Sequence, residues 1–167
     1  IFSQHLRDKC LRLILGADGI SIVLLDDYQL LRKLATQLAA EFGLRVVLEE
    51  DTPEDDGVIC CTWNWWLKNQ SKLPFPYQII VGLLPLSSLE SPLISARVAD
   101  CKRKGGDWFR ELLLPEALMT FHQAILPVRT NCRRIAVLDG RMLVRSWGGE
   151  FLHALEPWSP LNRLLPD

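Results

Sequence analysis

The sequence predicts a single α/β domain, a doubly wound parallel sheet of about five strands with helices on both faces. Three observations carry this expectation. Short apolar and β-branched runs alternate with longer segments of helical periodicity, the pattern of βαβ units. The runs are apolar almost throughout, as strands covered on both faces must be. The 167 residues, 49% of them hydrophobic, suffice for one sizeable core and are few for two.

From about Gln4 to Leu15, the apolar positions Leu6, Cys10, Leu11, Leu13 and Ile14 recur at helical spacing, and Gly16 and Gly19 stop the pattern. Ile20 to Leu25 is the first buried strand. Asp26 and Asp27 follow where a helix N-cap belongs, and Tyr28 to Phe42 repeats Leu31, Leu34, Ala35, Leu38 and Phe42 before Gly43 ends it. Leu44 to Leu48 reads as a strand, the acidic Glu49 to Asp56 as a solvated loop, and Val58 to Cys61 as a strand. Thr62 to Lys68 fits a short tryptophan-rich helix, Tyr77 to Leu84 a fourth strand, Pro85 to Pro92 a loop and Leu93 to Lys104 a helix. After Gly105-Gly106, Asp107 caps a helical stretch that passes Pro115 and reaches about Arg129, and Arg133 to Leu138 is the fifth strand.

Composition excludes several classes of function. A net charge of −1 and a sequence pI of about 6.4 provide no global attraction for phosphate or anionic lipid, so any nucleic-acid contact must be local. The five cysteines form no C-x-x-C pair and have no histidine at ligand spacing, which predicts buried reduced thiols and no metal. His5, His122 and His153 have no partners in the sequence, and no paired nucleophile and base is evident. The chain opens at Ile1 with neither a signal peptide nor a long apolar span, so the expectation is one domain, residues 1–167, from a longer cytoplasmic protein.

Ligands of such a sheet collect beyond the carboxyl ends of its strands. Those ends carry Asp26 and Asp27, Glu49, Thr62 and Trp63, Pro85, and Asp139 to Arg141. Neither G-x-x-x-x-G-K-[ST] nor G-x-G-x-x-G occurs, so the chain is not expected to hold a nucleotide by itself.

The C-terminal half carries a more specific order: Leu84-Pro85, Pro92-Leu93, Arg97, Phe109, Leu114-Pro115-Glu116-Ala117, Gln123-Ala124, Leu138-Asp139-Gly140-Arg141 and Trp147-Gly148. It resembles the second motor domain of DinG/XPD-type superfamily-two DNA helicases. There, an L-P-F segment and P-x-x-P-L precede F…L-P-x-A, and a glutamine opens the last helicase motif eight positions after the proline; here 123 − 115 is also eight. Ser21 to Leu31 is similar to the strand and helix that open the same domain.

The resemblance implies a RecA-like fold and coupling of ATP hydrolysis to movement along single-stranded DNA. It also implies an N-terminal motor domain of the same polypeptide as partner, which would hold most of the ATP and its Mg. Gln123 and Arg129 fall on the nucleotide motif, with Arg129 standing where a catalytic arginine would stabilise charge on the transferred phosphoryl.

Two departures qualify this. The family's Q-x-x-G-R-x-x-R becomes Gln123-Ala-Ile-Leu-Pro-Val-Arg129, so Leu126-Pro127 replaces the Gly-Arg pair and one residue is missing before Arg129. The family's F-W-E-G-x-D becomes Thr62-Trp-Asn-Trp-Trp-Leu-Lys-Asn69, without a carboxylate. A non-catalytic scaffold that keeps the helicase fold is therefore the alternative reading.

For nucleic acid, Lys102, Arg103, Lys104 and Arg141 are the candidate phosphate contacts and Trp63 the candidate stacking platform. Each has a plainer reading. The basic cluster would suit a helix C-terminus, Arg141 could pair with Asp139, and Trp63 could cap the core.

Overall fold

A computed structural model describes residues 2–131 and 133–157. The expected architecture is present: five parallel strands in the order β2-β3-β1-β4-β5 with helices on both faces. The strands are β1 (Ser21–Leu24), β2 (Val46–Leu48), β3 (Val58–Cys61), β4 (Gln78–Val81) and β5 (Arg134–Val137). The helices are α1 (Phe2–Leu15), α2 (Tyr28–Phe42), α3 (Trp63–Asn69), α4 (Pro92–Arg103), α5 (Leu114–Thr130), α6 (Arg141–Val144) and α7 (Gly148–Ala154).

Central β1 pairs in parallel with β3 on one side and β4 on the other, with Ser21 opposite Val58 and Gln78. Successive residues point to opposite faces. Ile22, Leu24, Ile59, Cys61, Ile79 and Val81 pack beneath α3, α5 and α7, whereas Val23, Leu25, Val58, Cys60 and Ile80 pack against α1 and α2. This two-sided burial explains the unbroken apolar runs.

Local chemistry accounts for the element ends. The Asp27 carboxylate accepts the Leu30 N–H and caps α2, and Gly43 leaves that helix at a φ of 67°. Thr62 caps α3 by accepting the Trp65 N–H. Strand β2 begins later than expected because Gly43–Arg45 forms a 3₁₀ turn that leaves Leu44 exposed. Before α5, Phe109–Leu113 is a π turn: Pro115 lacks an N–H and its ring would crowd the carbonyl one α-turn earlier, so the preceding turn widens. Gly148 is required by packing, since a Cβ there would run into the Met142 carbonyl.

A buried polar knot closes the amino edge of the sheet. Gln78, fully buried, donates from Nε2 to the Leu13 carbonyl at 3.0 Å and to Ser21 Oγ at 2.7 Å. Its Oε1 accepts from Arg134 Nε and Nη2 at 3.0 and 2.7 Å, and Arg134 also reaches the Leu13 carbonyl. One glutamine and one arginine thus bind the end of α1 to β1, β4 and β5. Arg134→Ala would strand the Gln78 oxygen inside the protein and is expected to cost about 2 kcal/mol. Exposed Arg133→Ala should stay within about 0.5 kcal/mol of wild type in urea unfolding. Equal losses in the two variants would contradict the knot.

Candidate functional site

The carboxyl edge gathers three acidic side chains, and each braces the loop of a neighbouring strand. Glu49, at the end of β2, accepts the Thr62 N–H and hydroxyl at 3.0 and 2.8 Å. Asp26, after β1, accepts the Trp63 N–H at 3.1 Å. Asp139, after β5 and only 4% exposed, accepts the Leu84 N–H at 2.9 Å and the Arg141 guanidinium at 2.6 Å. Glu49 is accordingly not part of a freely solvated loop, as the acidic run suggested: β2 is short, and its next residue turns inward at a φ of 51°.

The environments of two of these carboxylates differ. Burial raises the pKa of Asp26, which has the Trp63 N–H as its opposing hydrogen bond. Burial also works against the charge on Asp139, but the Arg141 guanidinium and the Leu84 and Arg141 N–H groups outweigh it and hold that carboxyl below its usual range.

The candidate nucleotide residues lie on α5. Gln123 is exposed on the helix surface. Arg129, near the C-terminal end of that helix, donates to the carbonyls of Ala154 at 2.6 Å and of Glu156, so it holds the end of α7 against α5. Pro127 sits within the same helix, and the Asn131 amide satisfies its carbonyl at 2.8 Å.

Most of the expected phosphate contacts carry a partner already. Asp100 pairs with both Arg103 and Lys104 at 2.9 Å, and the Lys102 ammonium lies over the Trp108 ring at 5.5 Å. Of these, Asp100 and Lys104 line a cleft of about 470 Å³ together with Arg97, Cys101 and Glu111; within it, the Cys101 thiol donates to Glu111. Arg141 is engaged by Asp139 and lies 6.0 Å from the Trp147 ring centre. Its structural reading is the one realised.

Trp63 requires a correction. It is 1% exposed, packs on Phe121 and donates its indole N–H to the Leu83 carbonyl at 2.9 Å, so neither ring face is open to a base. Trp66 is equally buried and donates to the Ala124 carbonyl. Both rings belong to the core because Thr62 caps α3 in a register that turns them inward.

Cys10, Cys60 and Cys61 are buried free thiols, and burial pushes the Cys10 pKa up to about 12. Cys101 is a half-buried free thiol, and Cys132 lies outside the described residues. No helix among the described residues is long and apolar enough to cross a membrane.

No family profile matches the chain. Over 161 residues, 88% of the chain, it is 30% identical to the ATP-dependent DNA helicase YoaA of Escherichia coli, and over 150 residues, 82% of the chain, 27% identical to YoaA of Haemophilus influenzae. Over 80 residues, 46% of the chain, it is 34% identical to the 3'-5' exonuclease DinG of Bacillus subtilis. The chain is related to DinG-like DNA helicases. It spans about a quarter of the length of the YoaA relatives, 25% and 23%, and 9% of the DinG exonuclease. This helicase relationship agrees with the order of short motifs along α4, α5 and β5.

The two contrasting carboxylates give a test. Asp139→Asn should lose about 2 kcal/mol at neutral pH, because it breaks a buried charged pair. Asp26→Asn should be neutral or stabilising, since an amide oxygen can still accept the Trp63 N–H without a buried charge. The pH dependences have opposite signs. The Asp139 contribution is present above the ordinary carboxylate pKa and lost as pH falls through its depressed value; the Asp26 contribution is present at low pH and lost as pH rises through its raised value. Unfolding of wild type and both variants from about pH 2 to pH 7 reads the difference.

Proposed function

We propose that this chain serves as the C-terminal motor domain of a DinG-like, ATP-dependent DNA helicase, closing on a P-loop domain of the same polypeptide and tracking single-stranded DNA in the cytoplasm. The observation that carries the reading is the similarity to YoaA helicase across 88% of the chain. The parallel sheet and the placement of Gln123 on the open face of α5 support it.

The residues present do not make a nucleotide site on their own. The sequence has no glycine-rich phosphate loop, and Asp26 and Glu49 place acidic groups without a basic partner among the described residues at the carboxyl edge. ATP and its Mg are therefore assigned to the P-loop domain, which would supply the phosphoryl chemistry. The contribution of this chain narrows to Gln123 and Arg129, presented across the interface. A specific observation also favours the second reading, a scaffold without catalysis: Leu126-Pro127 replaces Gly-Arg, and the Arg129 guanidinium holds the end of α7.

ATP hydrolysis by the full-length parent, with and without single-stranded DNA, separates the two. Exposed Gln123→Ala is the informative variant, because Arg129→Ala also removes a brace of α7 and should cost about 1 kcal/mol of stability. A motor predicts DNA-stimulated turnover that falls on the order of tenfold or more in Gln123→Ala without loss of folding. Absence of turnover in a parent with an intact P-loop would favour the scaffold.

A further inference from the structure

We propose that the amino edge of β4 and β5 binds single-stranded DNA, with Phe75 stacking on a base and Arg133 contacting phosphate. The proposal goes beyond the motor reading and rests on it only in naming DNA as the polyanion. The connection from α3 into β4 brings Phe75 to this edge with 66% of its surface exposed, two residues before half-buried Tyr77. Tyr77 is fixed in place: its N–H donates to the Ile20 carbonyl at 2.8 Å, and its own carbonyl accepts the Arg134 N–H. The guanidinium groups of Arg133 and Arg134 lie 6.0 and 5.2 Å from the Tyr77 ring centre.

The charges at this edge differ from those around α4. Arg134 is committed to the buried Gln78 knot, but Arg133 is exposed, and no carboxylate pairs with it among the described residues. Arg12 stands in the same situation beside Leu13, whose carbonyl Arg134 reaches. The sequence shows the reason: residues 58–89 and 117–138 contain no Asp or Glu, and these two stretches meet here through β4 and β5. On the same side of the sheet, Asp18 lies on the loop whose Gly19 packs against Tyr77, and Asp56, in the loop before β3, pairs with Arg45. An exposed aromatic ring two residues from Tyr77, over which the Arg133 guanidinium lies without a carboxylate partner among the described residues, offers the stacking and phosphate contacts that hold single strands without reading their sequence.

Fluorescence anisotropy of a labelled thymidine oligonucleotide about 20 residues long, titrated with the 167-residue chain, tests this. Phe75→Ala should weaken binding by about fivefold or more, and Phe75→Trp should restore it. Arg133→Ala should lower the salt dependence, reducing the slope of log K against log salt by about 0.7. Both positions are exposed, so the variants should melt as wild type does. No binding by the wild-type chain would overturn the proposal. So would wild-type affinity in both alanine variants, equal affinity for a duplex of the same length, or loss of binding in Lys102→Ala/Arg103→Ala instead. Failure of the motor reading shows separately, as absent ATP turnover in the parent with this binding intact.

Discussion

The carboxyl edge is held by acidic side chains that accept N–H groups from the loops beside them. A parallel sheet places the exits of all its strands on one side, and each exit leaves backbone donors that must find acceptors away from the ladder. Asp26, Glu49 and Asp139 supply those acceptors to Trp63, Thr62 and Leu84. Through them β2 is coupled to the start of α3, β1 to the same turn, and β5 to the loop after β4. The core packing of Trp63 and Trp66 depends on that anchoring, because it sets the register in which α3 starts.

The same arrangement shapes what the molecule can offer a ligand. Carboxylates engaged in bracing loops make the carboxyl edge electronegative, which suits neither phosphate nor nucleic acid. Arg141, the cation best placed to offset this, is already bound to Asp139. The amino edge has the opposite character: its buried knot leaves Arg134 internal, while Arg133 and Phe75 face outward. A chain with a net charge of −1 thus leaves a local basic site where β4 and β5 begin, which net charge alone does not reveal.

Much of the fold was legible in the residues. Two-sided burial produces unbroken apolar strands, and Asp27, Gly43 and Thr62 mark element ends by chemistry that acts within a few residues. The Asp139 and Arg141 pair was legible for the same reason, since it spans two positions. What escaped is long-range. That Glu49 would meet Thr62 and that Asp26 would meet Trp63 depends on β3 lying between β2 and β1, an order no local pattern encodes. Arg129 likewise matches a motif position, yet its carbonyl partners lie 25 and 27 residues further along the chain. Trp63 favours a core place on sequence grounds, and only the helix register excludes the stacking platform.

Amide hydrogen exchange at Thr62, Trp63 and Leu84 tests the bracing of the carboxyl edge most directly. These three amides lie outside the strand ladders, so their protection depends on the side chains of Glu49, Asp26 and Asp139. The account predicts protection approaching that of the central strand amides of β1 and β4. Exchange as fast as that of an exposed loop would contradict it, and would mean that the acidic side chains do not hold this edge.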